Sequence, residues 1–589
     1  MASYASTIVP ERARPLYRPP KPLPYELREH CVIYFEEELC IYNPLNPQFD
    51  TVPNAEAFLP DTQGLTLLSN LLTSGTSFTT ASGDPVPAFI PTPQQLSLAA
   101  TLVVHPRLTT RAASKEQLQA SNVAFRLLRN ANKIVGPINA NFAAAFTFSP
   151  QNTRKRSDGR RRTGGGDDSG DDSDMINTEI ANAGSLWARA EDFWHAVGWA
   201  FNCSVAYPKR WGRWKLWLEF MLDVLEDDWA ERLRMIEEDG DTSKNEPEED
   251  LLAQSMIVQW LSGRKGAYGN KRRYIRAIFA DGSAKAMAEF KEIFKNEPKE
   301  RKTNGDAEIK RPAKVDIDQD VFGDYLDDDS DDEVEENTLS ATTKLTEDRS
   351  SDKDSEILTV GVQPRRATTV TNGAERFGGM DSLILRQRLL SLVRATCTPT
   401  LSLNSLTSHT QLSTVSARAE PYFTPLEDLY DMYIDHIRPL PLPTFSLFVL
   451  PVLPNVLPAY RSSFNQLLLC SLIASSAPLE HSDDDLSQEI LETCYLPFPA
   501  NTHSISDNAK VSLLVESLLR LLATHKVLGF TKELEVVVET GVRAREMKAK
   551  GSTRKKRDEL LREEEENWLF LRNSSRRMVD LVEFLKRGG

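Results

Sequence analysis

Length, composition and charge place this chain among ordinary globular proteins. It has 589 residues and a mass of 66.2 kDa, with 70 lysines and arginines against 85 aspartates and glutamates, for a formal net charge of -15. The 28 glycines and 34 prolines are close to an average share, which excludes a fibrous or wholly disordered protein. The six cysteines lie far apart without metal-ligand spacing, so neither a disulfide framework nor a zinc module is expected.

Two polar segments divide the sequence. Residues 151–180 contain three consecutive glycines followed by Asp and Ser repeats, and residues 296–378 include an acidic block, Asp324 to Glu336, with nine carboxylates in thirteen positions. Because such segments bury too little apolar surface to offset the entropy of ordering, we predict that both are disordered, charged linkers. The predicted organisation is a disordered tail at 1–19, an N-terminal helical block at 20–150, a linker at 151–180, a tryptophan-rich helical domain at 181–295, a linker at 296–378 and a C-terminal helical domain at 379–589.

Helix start signals indicate the fold class. Thr92 to Gln95 offers a capping hydroxyl, a proline at the first helical position and a glutamine that can bond back to the cap. Ser114 to Gln117 repeats the pattern and opens a helix that should end near Gly136, and Thr424 to Glu427 is a third case. The sequence therefore predicts an all-α fold of multi-helical blocks, arranged as a helical bundle or as an irregular α-solenoid-like array.

The middle block is distinguished by its tryptophans. Eight of the nine tryptophans of the chain fall within the 74 residues from Trp187 to Trp260. Apolar residues recur every three or four positions after Pro208, as on one face of an amphipathic helix. We predict two long helices, at about 185–206 and 209–237, that pack antiparallel around a rigid aromatic core.

The last block contains an uncharged run from Pro439 to Tyr460. Its length raises the question of a membrane span, but it carries six prolines, which a helix in lipid accommodates poorly. No membrane span is expected. A charged helix is predicted from Ser552 to Arg572, ending in the apolar cluster Trp568 to Leu571. Such a helix either docks on another helix or folds back on its own domain, and folding back is the favoured interpretation.

Enzymatic motifs are absent from the sequence. It contains no phosphate-binding loop, no dinucleotide-binding glycine motif, no HExxH and no GxSxG. The eight histidines, among them His195 and His436, are isolated from one another, and each is interpreted as structural. We therefore expect no catalytic, cofactor-binding or metal-ligating residues. An enzyme whose catalytic residues come from distant parts of the chain is the remaining alternative, because such residues form no motif in the sequence.

One basic cluster lies in the first predicted linker. It places six positive charges within nine residues, as in a nuclear import signal or a nucleic-acid-binding arm. The nuclear import candidates are Arg154, Lys155, Arg156, Arg160, Arg161 and Arg162. The first twenty residues lack the apolar stretch of a secretory signal, which indicates the nucleus, or alternatively the cytoplasm, as the location.

A second basic cluster follows Trp260 and is interleaved with tyrosines. Its cations can neutralise phosphates and a tyrosine face can stack on a base, which predicts local contact with nucleic acid. The candidates are Arg264, Lys265, Tyr268, Lys271, Arg272, Arg273, Tyr274 and Arg276. The competing interpretation is a solvated loop and helix start, or a second import signal. The negative charge of the whole chain predicts no general attraction to nucleic acid.

The acidic block has three interpretations. It can dock on a basic partner such as a histone or a ribosomal protein, or it can be a solubilising spacer. Alternatively, serines followed by acidic residues suit an acidophilic kinase, whose product would deepen the negative charge. The phosphorylation candidates are Ser169, Ser173 and Ser330.

These patterns together predict a non-enzymatic, chromatin-associated nuclear scaffold or adaptor subunit of a larger assembly. It would bind protein subunits of a nuclear complex through helical surfaces, with the charged linkers as tethers. The alternative is a protein that binds nucleic acid directly through local basic and aromatic residues. Direct binding predicts an affinity that falls steeply with salt, whereas a scaffold alone predicts none near physiological ionic strength.

Overall fold

A computed structural model gives the fold, and it is all-α and multi-helical, as the capping signals predict. It describes residues 17–39, 62–76, 85–112, 114–148, 176–239, 248–262, 272–299, 372–397, 426–450, 458–478, 486–550 and 558–588. These residues belong to one compact unit formed by residues 1–299 and 369–589, and a second unit, residues 300–368, lies outside the described part of the chain.

The first part of the unit combines helices with one small sheet. Its elements are β1 (Pro20–Pro22), α1 (Tyr25–Leu39), α2 (Gln63–Thr73), β2 (Ala88–Ile90), α3 (Pro93–Val104), a 3-10 turn (Pro106–Leu108), α4 (Lys115–Val135) and α5 (Phe142–Ala145). Strands β1 and β2 pair in parallel, with Pro20 opposite Ala88. Helices α2 and α3 each pack on α4, and the three helices bury leucines and valines at these contacts.

Two of the predicted helix starts are observed. The Thr92 side chain caps α3 and Gln95 bonds back to it, which completes the predicted capping box. The Ser114 hydroxyl accepts a hydrogen bond from the Gln117 N–H at the start of α4, and that helix ends at Gly136, whose φ of 81° suits glycine. Thr424, of the third signal, lies outside the described residues. The helix that this signal predicts begins at Leu426.

The tryptophan-rich part is built on two long helices. Its elements are α6 (Leu186–Arg189), α7 (Phe193–Ala206), α8 (Pro208–Asp239), α9 (Glu248–Ala253), α10 (Met256–Ser262), α11 (Arg273–Ile278) and α12 (Ala284–Glu289). Ring contacts between Phe193 and Trp217 and between Phe201 and Trp211 confirm that α7 and α8 are antiparallel. The predicted helix at 185–206 is interrupted, because the Asp192 side chain caps a new helix at Phe193.

The last part contains the helices α13 (Asn372–Glu375), α14 (Met380–Cys397), α15 (Leu426–Ile437), α16 (Leu442–Val449), α17 (Pro458–Leu472), α18 (Gln488–Ile490), which continues as a π-helical turn (Leu491–Tyr495), α19 (Ile505–Thr524), α20 (Lys532–Lys550) and α21 (Asp558–Gly588). The proline-rich run from Pro439 therefore contains the short helix α16 and the start of α17. Within the described ranges, no helix is both long enough and apolar enough to span a bilayer.

The three predicted blocks pack on one another through buried arginines. Arg210 of α8 donates to the Thr109 hydroxyl (2.9 Å) and to the Val104 carbonyl in the first block. Arg386 of α14 donates to the Ala280 carbonyl (2.8 Å) in the second block. Each guanidinium thus joins two blocks whose packing on one another the sequence alone leaves open. The predicted domain boundaries themselves stay predictions.

Candidate interaction surfaces

Much of what the sequence marks as functional lies outside the described residues. This applies to all the nuclear import candidates, Arg154, Lys155, Arg156, Arg160, Arg161 and Arg162, to the phosphorylation candidates Ser169, Ser173 and Ser330, and to Arg264, Lys265, Tyr268 and Lys271 of the second basic cluster. Import, phosphorylation and docking on the acidic block therefore stay predictions.

Among the described residues of the second basic cluster, Tyr274 belongs to the packed interior. Tyr274 is 2% exposed and its ring lies 5.7 Å from that of Trp194. A ring in this position offers no open face to a base, so the stacking role considered for Tyr274 does not fit its burial.

Two of the three described arginines of this cluster, Arg273 and Arg276, are engaged by carboxylates. Arg273 lies 2.6 Å from Glu191, and the Arg276 Nε donates to both oxygens of Glu289 at 2.8 and 3.0 Å. Arg272 is exposed. Nucleic-acid contact by this segment stays a prediction, and the paired arginines have little charge left to offer a phosphate.

His195 and His436 both hold structural positions. The Nδ1 of His195 accepts from the Glu191 N–H (3.2 Å), so its Nε2 carries the proton and donates to the Lys291 carbonyl (3.0 Å). Burial lowers the pKa of His195, which keeps the ring neutral. The ring of His436 stacks on Phe279 at 5.0 Å. Among the described residues, no group of three His, Cys, Asp or Glu side chains is placed to hold a metal ion.

The basic and aromatic segment at the start of α8 is used for packing. Trp214 is fully buried, and its indole N–H donates to Glu297 at 2.5 Å. The same Glu297 oxygen accepts from the Arg210 Nε at 2.6 Å, and both charged side chains are almost fully buried. A buried ion pair is retained only when hydrogen bonds satisfy its remaining donors and acceptors, as they do here. These charges therefore fix the core rather than face a partner.

The most exposed large apolar side chains of the described region are concentrated in the last two helices. They are Phe584 (70% exposed), Met547 (67%), Val536 (63%) and Leu569 (54%), and we call them the C-terminal apolar set. Val536 and Met547 are eleven residues apart on α20, which is about three helical turns, so both lie on one side of that helix. Large apolar side chains that stay exposed on the outer side of a helix are candidates for contact with a partner.

Helix α21 folds back on its own domain, as favoured from the sequence. Leu571 and Met578 are fully buried, and Trp568 packs against the core. The Arg577 guanidinium also makes a two-pronged contact with Glu516 of α19, at 2.7 and 2.8 Å. Only Leu569 of the predicted apolar cluster points to solvent. The helix can therefore present a surface while its other side holds it in place.

A basic face on α4 escaped the sequence analysis. Seven residues of this helix are exposed, and all but Glu116 share one face: Lys115, Gln119, Asn122, Arg126, Arg129 and Lys133. At 100° per residue they fall within an arc of about 80°. Its cations form no cluster in the sequence, and the signal that predicts a common face is their helical spacing.

Comparison with known proteins gives no further guide. Neither a family model, nor a curated protein, nor a solved structure matches this chain. What these surfaces do must therefore be inferred from their own chemistry.

Proposed function

We propose that this protein is a non-enzymatic scaffold or adaptor subunit of a nuclear assembly. It binds protein partners through helical surfaces, while its charged segments tether further partners at raised effective concentration. The observation that carries this proposal is the C-terminal apolar set, Val536, Met547, Leu569 and Phe584, on two helices whose inner sides are already packed.

The way in which the chain uses its polar groups supports a binding role. Arg210, Arg386 and Arg545 are buried and bond to backbone carbonyls, and His195 is held by backbone groups on both ring nitrogens. Such groups specify one packed structure. The exposed apolar side chains, by contrast, have no role inside the fold. Apolar side chains that become buried in an interface carry much of its binding energy.

The nuclear location rests on the basic cluster from Arg154 to Arg162. We expect a fluorescent fusion of the full chain to enter the nucleus, and to shift to the cytoplasm when the six basic residues of the cluster are changed to glutamine. An unchanged distribution would remove the support for a nuclear assembly.

Affinity purification from the protein's own cells, followed by mass spectrometry, tests the scaffold role. The test variant is V536S/M547Q/L569Q/F584S, and the matched control is M235Q/M380Q, which makes the same kind of change at two residues that are each 38% exposed elsewhere. We expect a stable set of nuclear partners with the unaltered chain and the control, and loss of most of them with the test variant. An identical set from both variants, or no stable set at all, would contradict the proposal.

A further inference from the structure

The basic face of α4 combines charge with a linear shape. Lys115 and Lys133 are eighteen residues apart, so the face extends about 27 Å at 1.5 Å per residue. Along it lie four cations and the amides of Gln119 and Asn122, with neither an acidic nor an apolar residue among the six. A neighbouring cation comes from α8, where the Arg213 guanidinium donates to the Asn122 side chain at 2.9 Å.

Three cations of this face, Arg126, Arg129 and Lys133, form no ion pair with the described residues. Within the described parts of the chain, no carboxylate lies within 4 Å of Arg126, Arg129 or Lys133. The guanidinium of Arg129 lies over the Phe125 ring, 5.6 Å from its centre, which orients the cation without neutralising it. By contrast, the exposed Arg543, Arg576 and Arg587 each pair with an acid on their own helix.

The sequence around the face is basic although the chain is acidic. Residues 88–150 contain six lysines and arginines and a single acidic residue, Glu116, against a net charge of -15 for the whole chain. Glu116 lies off the face, at the first turn of α4. A local excess of positive charge in an acidic protein attracts a polyanion to one place instead of to the whole surface.

The composition of the face distinguishes between two kinds of partner. The centre of an interface with a folded protein is depleted of charge and enriched in aromatic and other apolar residues, and this face has no exposed apolar side chain. The phosphodiester backbone is a linear array of single negative charges, bound by Arg and Lys together with Asn and Gln side chains. The chemistry of the face therefore matches a nucleic-acid backbone better than a folded protein.

We propose that the basic face of α4 binds the phosphodiester backbone of nucleic acid, through Arg126, Arg129 and Lys133 together with Lys115. This site is distinct from the residues at 264–276 and goes beyond the scaffold role, because it contacts nucleic acid at a surface that the C-terminal apolar set does not use. Backbone contacts carry no sequence information, so binding is independent of base sequence.

The test is a salt titration with the full chain and fluorescein-labelled probes of mixed sequence, one a 30-base-pair DNA duplex and one a 30-nucleotide single-stranded RNA. We expect a Kd on the order of 10 µM at 50 mM salt, since non-specific contacts of this kind are weak. Three phosphate contacts to a duplex contribute about 2.7 to the slope of log K against log salt, or a loss of about 40-fold between 50 and 200 mM.

The variant R126Q/R129Q/K133Q should lose this contribution, and its affinity at 50 mM salt should fall at least tenfold. The control R543Q/R576Q/R587Q removes the same number of exposed cations and should bind like the unaltered chain. R126K/R129K should keep binding within about threefold, because either cation neutralises a phosphate, and this result would attribute the loss in the glutamine variant to the removed charge.

Two outcomes would overturn the proposal. One is equal binding by the glutamine variant and the control. The other is capture of a 30-residue poly-glutamate by the same three residues without measurable binding of either nucleic acid, which would assign the face to an acidic protein. The two probes separate duplex from single strand, and preferential binding of either one supports the shared backbone chemistry. Failure here leaves the scaffold proposal intact, since its own test uses other residues.

Discussion

Replacing Arg386 by methionine should loosen the contact between α14 and α11. In the folded chain the Arg386 side chain is fully buried and donates to the carbonyls of Ile278 and Ala280. Both carbonyls lie at the C-terminal end of α11, where the helix supplies no donors of its own. The guanidinium also lies 4.0 Å from the Phe201 ring centre and 4.8 Å from that of Phe377.

The expected cost follows from these contacts. A buried carbonyl left without a donor costs about 1–3 kcal/mol, so two of them cost about 2–6 kcal/mol. Loss of the cation–π contacts adds about 1–2 kcal/mol, and removal of a buried charge offsets part of the total. We therefore expect R386M to lower the free energy of unfolding by about 4 kcal/mol. R386K keeps the charge but lacks the planar fork, so its free energy of unfolding should lie between those of the unaltered chain and R386M.

Urea unfolding followed by tryptophan fluorescence measures this effect, because most tryptophans lie in the adjoining core. R376Q is the matched control: Arg376 is exposed and ten residues away, so its change should stay within about 0.5 kcal/mol. If R386M were as stable as the control, the buried guanidinium would not be what joins α14 to α11, and the reasoning would be refuted.

Four further variants test the packing and the buried polar groups. A Cβ on Gly541 would clash with the Leu496 carbonyl oxygen, whereas one on Gly212 would meet nothing within 4 Å, so G541A should lower the melting temperature and G212A should raise stability by about 0.5–1 kcal/mol. D228N should cost about 2–4 kcal/mol in urea unfolding, because the buried Asp228 carboxylate accepts three hydrogen bonds; a change below 0.5 kcal/mol would contradict this. Burial lowers the pKa of His105 to about 3, so the unfolded chain takes up its proton first and stability should fall as the pH drops below about 6.5. H105L should flatten that fall by up to about 1.4 kcal/mol per pH unit, and an unchanged slope would show that other groups cause it.

The helices were predictable where local chemistry determines them. The caps at Thr92 and Ser114 and the spacing of tryptophans after Pro208 are short-range signals, and the structure confirms the helices they predict. The break before Phe193 was missed, because the capping Asp192 stands inside an apolar run in which helical periodicity continues. At this point the hydrogen bond from the capping side chain determines where the helix begins, although the apolar periodicity predicts a continuous helix.

The surfaces were harder to predict than the helices. Arg126, Arg129 and Lys133 of α4 are three and four residues apart in sequence, and they share one face only when the helix forms. Arg273 and Arg276, by contrast, form a basic cluster in the sequence, but the fold brings distant carboxylates to them. Tyr274 looked available for stacking for the same reason. Burial and ion pairing depend on residues far away in the chain, and a single sequence does not show which of them meet.

The position of Arg386 also has a consequence for how the chain can be divided. Ile278 and Ala280 precede residues 300–368 in the sequence and Arg386 follows them, so their association is held by buried contacts as well as by the covalent connection. Two separately synthesised polypeptides, 1–299 and 369–589, should then reassemble into the folded unit, as in fragment complementation. Proteolytic cleavage within the intervening segment would leave the halves associated. The contacts of Arg386 should likewise form when the length of the connection between the two halves is changed.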